Sequence, residues 1–97
     1  MFFKNNFDFV TIGDTTIDAF IKIKEASVNC DINKENCQIC FDFANKVPYE
    51  SVTVIPAVGN SANAAVAASR LGLKSAYVGN VGNDQNGKDC VNAFKAE

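Results

Sequence analysis

The spacing of apolar residues changes at Pro56, and that change sets the class of fold that the chain can adopt. Before Pro56, short stretches alternate between apolar and polar residues, which is typical of strands. Directly after it, apolar residues recur every three to four positions, which is typical of a helix. Before the change we predict strands at residues 7–13, 16–24, 39–43 and 51–55. The polar segment 26–38 predicts a loop.

The residues after Pro56 predict the order helix, strand, helix. Asn60 or Ser61 can cap the first helix, and Gly72 suits its end. The predicted buried face of this helix consists of Ala64, Ala67, Ala68 and Leu71. A strand at 75–81 follows, and a second helix begins near Asp84 and buries Gly87, Cys90, Val91 and Phe94. This order predicts an α/β fold, in which a partial parallel (Rossmann-like) sheet with flanking helices carries a small strand subdomain inserted early.

The composition and charge of the chain argue against several classes of partner. With 97 residues, 47% of them hydrophobic, and a net charge of -2, the chain is typical of a globular protein with one core. It has no long basic run, so we expect neither nucleic acid nor a membrane as a partner. The first residues contain no apolar leader segment, so we expect a cytoplasmic protein.

The chain has four cysteines and no histidine, which limits its chemistry. Without imidazole, Ser–His and Cys–His dyads are excluded. In a cytoplasmic protein we predict reduced thiols. Two alternatives stay open: a small metal-binding or interaction module that uses Cys30, Cys37 and Cys40, or a redox pair of Cys37 and Cys40.

Several glycine- and asparagine-rich motifs follow one another in a fixed order. They are Gly-Asp-Thr-Thr-Ile-Asp at 13–18, Val-Gly-Asn-Ser-Ala-Asn-Ala-Ala at 58–65, Leu-Gly at 71–72, Val-Gly-Asn-Val-Gly-Asn-Asp at 78–84, and Gly87. In order and spacing this set resembles the N-terminal portion of the PfkB (ribokinase-like) carbohydrate kinases, over nearly the whole chain except the cysteine-bearing loop. The resemblance implies an incomplete ribokinase-like domain over 1–97. Its lid strands and the cysteine-bearing insertion would fall at about 15–56, and the helix-strand-helix of its α/β core at 57–97.

The resemblance also implies a substrate site formed by Asp18, Gly59, Asn60 and Asn63. A carboxylate accepts hydrogen bonds from neighbouring hydroxyls, whereas an amide both donates and accepts, so the pair suits a polyol. Gly59 would let the backbone approach the ligand closely. One position departs from the family, because Val58 stands where the first glycine of a Gly-Gly pair is usual, and we expect a differently shaped loop there.

The activity implied by the resemblance is ATP-dependent phosphorylation of a sugar or nucleoside. The family's catalytic Gly-x-Gly-Asp segment does not occur in these residues, so we expect no catalytic residue here and no activity from this chain alone. ATP and Mg²⁺ would be bound mainly by a C-terminal part, and the lid strands could also form a homodimer.

A further motif raises the alternative of a nucleotide-binding phosphate loop. Residues 82–88 match the phosphate-binding pattern G-x-x-x-x-G-K between a strand and a helix. The next residue is Asp89, where that pattern needs a Ser or Thr hydroxyl for Mg²⁺. The kinase resemblance already accounts for the Gly-Asn-Asp portion, and we therefore favour it over the phosphate loop.

Overall fold

The computed structural model of the chain describes residues 6–97 and has an α/β fold with a parallel sheet and two helices. The elements in chain order are β1 (Phe9–Ile12), β2 (Thr16–Ile23), β3 (Ser27–Asn29), β4 (Gln38–Cys40), β5 (Tyr49–Val58), α1 (Asn60–Arg70), β6 (Ser75–Val78) and α2 (Gln85–Lys95). The strands pair as β1 with β6, β2 with β5, and β3 with β4. The chain divides into two compact units: the core unit, which runs to Asp18 and resumes from Val54 to Glu97, and the hairpin unit, Ala19–Thr53.

In the core unit, β1 and β6 form a parallel pair that runs from Phe9 opposite Ser75 to Ile12 opposite Val78. Helix α1 packs against both strands. Parallel strands need a crossover connection, and the residues between β1 and β6 include α1 as the helical part of it. The predicted parallel sheet with flanking helices is therefore present in this unit.

A glycine lies near each end of helix α1, just outside the helix. The prediction of an Asn60 or Ser61 cap is wrong, because Gly59 is the N-cap and no side chain caps the helix. The prediction for Gly72 is confirmed: it has φ 92, and its N–H donates to the Ser69 carbonyl. Such a left-handed residue ends a helix by satisfying the last free carbonyls.

The buried face of α1 also differs from the prediction. Its buried residues are Ala62, Ala65 and Ala68. Of the predicted face only Ala68 is buried, and Ala64, Ala67 and Leu71 are exposed. In a helix this rich in alanine several stripes are equally apolar, so the contact with β1 and β6 selects the face and the sequence does not.

Helix α2 follows the prediction more closely. Asp84 is its N-cap, and Gly87 and Cys90 are buried as predicted. Phe94 is half-buried, whereas Val91 is exposed. Within the described residues, neither helix is long and apolar enough to cross a bilayer.

Strand β5 continues past Pro56, where we predicted that a strand would end. Proline lacks a backbone N–H and is therefore tolerated only where a strand has a free edge. Within residues 6–97, strand β5 pairs with β2 alone, so its other edge is free in this part of the chain. The predicted strand at 75–81 is shorter than expected and ends at Val78.

The hairpin unit contains structure where we predicted a loop. Strands β3 and β4 pair antiparallel, with Asn29 opposite Gln38. Cys30 follows Asn29 and Cys37 precedes Gln38, so this register places the two cysteines opposite each other. A disulfide joins them. The prediction of reduced thiols is therefore wrong for this pair, while Cys40 and Cys90 are free.

The Cys30–Cys37 disulfide can be tested by counting the free thiols of the chain. Alkylation of the chain, unfolded without a reductant, is expected to label two cysteines, Cys40 and Cys90, because the other two form the disulfide. After reduction all four should be labelled. Mass spectrometry of the intact chain and of its peptides distinguishes the two states. Four labels without reductant would contradict the disulfide.

Candidate functional site

The carboxyl ends of β1 and β6 lie side by side, and the start of α1 is hydrogen-bonded at the same place. Because Ile12 pairs with Val78 in a parallel register, both strands end at one edge of the sheet. The Thr11 hydroxyl donates to the Ser61 carbonyl oxygen over 2.8 Å. The Ser61 hydroxyl in turn donates to the Ile12 carbonyl oxygen over 3.2 Å. Ligands of open α/β sheets bind outside the carboxyl ends of the strands, so this edge is the candidate site.

The junction between β5 and α1 contacts the turn that follows β1. The Thr15 hydroxyl donates to the Val58 carbonyl oxygen over 3.1 Å. Gly59 has φ 108, and a Cβ added to it would lie 3.3 Å from the Asp14 carbonyl oxygen. Both the conformation and this close approach favour glycine at position 59.

Ala57, in the same junction, also has a left-handed backbone conformation, with φ 59. Ala57 is a buried residue, and a non-glycine residue in this conformation costs on the order of 1 kcal/mol or more. Val58, which stands where a glycine was expected, lies between Ala57 and Gly59 and is not left-handed. The junction therefore accommodates a valine there because its neighbours take the unusual conformations.

The structure groups three of the four predicted site residues at the start of α1. Gly59 precedes the helix, and Asn60 and Asn63 lie on its first turn with exposed side chains. Asn63 also lines a cavity together with residues 55–58 at the end of β5.

Asp18, the fourth predicted residue, is exposed in β2. It does not line the cavity that contains Asn63. Its link to the site is through the chain, because β2 begins at Thr16 and the preceding Thr15 is bonded to Val58. The convergence of Asp18 with Asn63 on one ligand stays a prediction.

A second, polar cavity of about 250 Å³ opens between the turn after β1 and the segment after β6. Its polar lining side chains include Thr15, Thr16, Asn80 and Asn86. This volume lies below the roughly 300–1,000 Å³ of typical ligand pockets, so it suits a small polar ligand. Thr15, Thr16 and Asn80 lie within the motifs at 13–18 and 78–84, and Asn86 follows the second motif, but no role was predicted for their side chains. Their place in or beside those motifs was the available signal.

Tyr77 is a further residue at this edge that sequence reasoning missed. Its hydroxyl donates to the Gly13 carbonyl oxygen over 2.6 Å. Burial raises the pKa of the Tyr77 hydroxyl, and the nearby Asp14 and Cys90 raise it further. The hydroxyl therefore keeps its proton and its donor role at neutral pH. A tyrosine in a strand ordinarily indicates only packing, so no local pattern identified this contact.

The start of α2, which resembles a phosphate loop in sequence, is already occupied by a carboxylate. Asp84 Oδ1 accepts a hydrogen bond from the Gly87 N–H over 2.8 Å. Gly87 lies so close to Gly82 that a Cβ would overlap the Gly82 carbonyl oxygen. A phosphate needs these first-turn N–H groups free and no negative charge beside them. The helix start therefore does not fit a nucleotide phosphate, and the phosphate-loop alternative is not supported.

The metal-site and redox alternatives for the cysteines are not supported either. Cys30 and Cys37 are bonded to each other, so neither is a free thiolate ligand, and Cys37 is not paired with Cys40. Among residues 6–97, no group of three or more His, Cys, Asp or Glu side chains is placed to hold a metal ion.

Comparison with known proteins agrees with the motif resemblance. The family model described as pfkB family carbohydrate kinase matches residues 13–97. No curated protein matches the chain. No solved structure matches it either. The matched segment contains the turn after β1, the start of α1 and both predicted helices.

Asp84→Ala is expected to lower the free energy of unfolding by about 1 kcal/mol, because it removes the N-cap of α2. Asp84→Asn keeps an oxygen that can accept from the Gly87 N–H and should change stability little.

Lys88→Ala, at an exposed position, should alter neither stability nor the binding of ATP. Urea unfolding and titration with ATP measure these effects. Loss of ATP affinity in Lys88→Ala would instead favour the phosphate loop.

Proposed function

The chain belongs to the pfkB family of carbohydrate kinases, and on that premise we propose that it forms the substrate-binding portion of an ATP-dependent sugar or nucleoside kinase. The observation that carries the proposal is the hydrogen-bonded meeting of the β1 end with the α1 start, through Thr11 and Ser61. This meeting holds Gly59, Asn60 and Asn63 at the carboxyl edge of the sheet, where α/β folds bind their ligands.

In this proposal the polar groups at the edge bind the hydroxyls of the phosphate acceptor. The Asp18 carboxylate accepts hydrogen bonds from two neighbouring hydroxyls, and the amides of Asn60 and Asn63 donate and accept. Helix α1 has no side-chain cap, so first-turn N–H groups remain available to ligand oxygens. Gly59 lets the backbone come close to the ligand. The acceptor is thereby oriented before phosphoryl transfer, which is the main requirement of this reaction.

The phosphoryl donor is proposed to bind elsewhere in the kinase. Mg²⁺-ATP supplies the γ-phosphoryl group when bound, but the described residues do not fit it: the α2 start is closed by Asp84, and no acidic cluster for a metal ion is formed in residues 6–97. The catalytic Gly-x-Gly-Asp segment is also not in this sequence. We therefore propose that these residues alone transfer no phosphate.

The hairpin unit is proposed to act as the lid over the acceptor. Lid closure would exclude water and so suppress hydrolysis of ATP. Exposed apolar side chains support a role in contacts with a ligand or a second copy, among them Phe20, Val28, Ile39, Phe41 and Phe43. A homodimer through these strands and a cytoplasmic location both remain proposals.

The variant Asp18→Ala tests the acceptor site. In the kinase that carries this chain, it is expected to raise the KM for the acceptor about 10- to 150-fold, because it removes hydrogen bonds to a charged group worth roughly 1.5–3 kcal/mol. The KM for ATP should stay near normal. A coupled assay with D-ribose, D-fructose and adenosine as candidate acceptors measures both constants.

Asp89→Ala is the control, since the Asp89 carboxylate lies on α2, outside the predicted site and outside the hairpin unit. It should leave both KM values within about twofold. An unchanged acceptor KM in Asp18→Ala would remove Asp18 from the site. Phosphorylation by the 97-residue chain alone would contradict the proposed need for a separate catalytic portion.

A further inference from the structure

The hydroxyl of Tyr77 joins β6 to the turn that follows β1. It donates to the Gly13 carbonyl oxygen over 2.6 Å, across 64 positions of sequence. The Tyr77 ring stacks on Phe94 of α2, with ring centroids 4.5 Å apart and planes inclined by 16°. The ring is thus held by α2 while its hydroxyl reaches the turn.

Gly13 is held through both of its backbone polar groups. Its N–H donates to the Val78 carbonyl oxygen over 3.1 Å, and its carbonyl accepts from Tyr77. Gly13 therefore fixes where the chain leaves β1 and starts the turn to β2.

The Tyr77 hydroxyl has space because residue 79 is a glycine and has no side chain. A Cβ added to Gly79 would overlap the Tyr77 hydroxyl and would lie 2.5 Å from the Gly13 carbonyl oxygen. A Cβ added to Gly13 would overlap the Ser61 hydroxyl. The glycines at 13 and 79 thus allow the hydroxyls of Tyr77 and Ser61 to reach backbone carbonyls at the end of β1.

We propose that Tyr77 is a positioning residue for the acceptor site, whose hydroxyl fixes the turn at 13–16 and through it the start of β2, which carries Asp18. This inference rests on the proposed function. The turn has its own contact with the α1 junction, from Thr15 to Val58, so an error in its position is transmitted to both sides of the site. A binding constellation displaced by even a fraction of an ångström loses affinity, because its groups no longer reach the ligand together.

The stacking of the Tyr77 ring on Phe94 and the hydrogen bond of its hydroxyl to Gly13 can be tested separately. Phenylalanine at position 77 would keep the ring volume and the stacking on Phe94, and it would lose only the hydrogen bond to Gly13. Tyr77→Phe therefore isolates the hydroxyl. The chain's other tyrosine, Tyr49, is exposed and lies in the hairpin unit, so Tyr49→Phe is a matched control.

The first measurement needs no ligand. In Tyr77→Phe, amide hydrogen exchange at residues 14–16 is expected to accelerate about fivefold, as the loss of one net hydrogen bond implies. Amides in the middle of α1 should change less, and Tyr49→Phe should match the unmodified chain. Gly79→Ala, which places a methyl group where the hydroxyl lies, should accelerate exchange at the same residues.

The second measurement separates positioning from a merely structural role. In the kinase that carries this chain, Tyr77→Phe is expected to raise the acceptor KM about three- to tenfold while kcat and the KM for ATP stay within about twofold. D-ribose, D-fructose and adenosine serve as the probes. A variant that is only less well folded would instead lower kcat with the acceptor KM unchanged.

Unchanged exchange at 14–16 in Tyr77→Phe would overturn the inference. So would faster exchange combined with an unchanged acceptor KM, because the hydroxyl would then hold the turn without serving the site. If the unmodified kinase phosphorylates none of the three probes, the proposed function fails on these acceptors, and the positioning role fails with it. The exchange result then still reports whether the hydrogen bond holds the turn.

Discussion

Everything at the carboxyl edge of the sheet follows from how near helix α1 lies to strands β1 and β6. Alanines form the buried face of this helix, and no large side chain in the described residues is fully buried. The approach is close enough for short hydroxyl side chains to bond across it. Thr11 and Ser61 do so at the helix start, and Ser75 donates to the Ala65 carbonyl oxygen over 2.7 Å further along. Larger residues on this face would separate the layers and break all of these bonds together.

Polar contacts thus help to define the position of the helix, in addition to the burial of its alanines. Thr11 faces the helix, and its neighbours in β1, Val10 and Ile12, must point to the opposite face of the sheet. There they remain exposed, Ile12 to 77%, and so does Val78 of β6. The hydrogen bonds contribute only about 1 kcal/mol each, but they are directional and define one register. Such a layer can be well ordered at the ligand edge even though its apolar core is small.

The order of strands and helices in the core unit, the helix end at Gly72 and the start of α2 at Asp84 were predictable from the sequence, because each depends on neighbouring residues. It failed where the deciding contact is distant. Strands β3 and β4 have three residues each, too few for an alternating pattern, and the Cys30–Cys37 pairing follows from their register. The binding role of Asp18, Gly59, Asn60 and Asn63 stays a prediction. The contact of Tyr77 with a carbonyl 64 positions away leaves no local signature in the sequence.

The two helix starts illustrate why a glycine-rich motif does not by itself identify a phosphate site. At α2 the chain supplies its own anion, since Asp84 accepts from a first-turn N–H and a bound phosphate would lie beside a second negative charge. At α1 the N-cap is Gly59, and the Ser61 hydroxyl is bonded to Ile12, so no side chain takes the first N–H groups. Open N–H groups beside neutral amides suit a hydroxyl-bearing ligand. The N-cap residue, Asp84 at α2 and Gly59 at α1, thus decides whether the first N–H groups of each helix are taken by the chain itself.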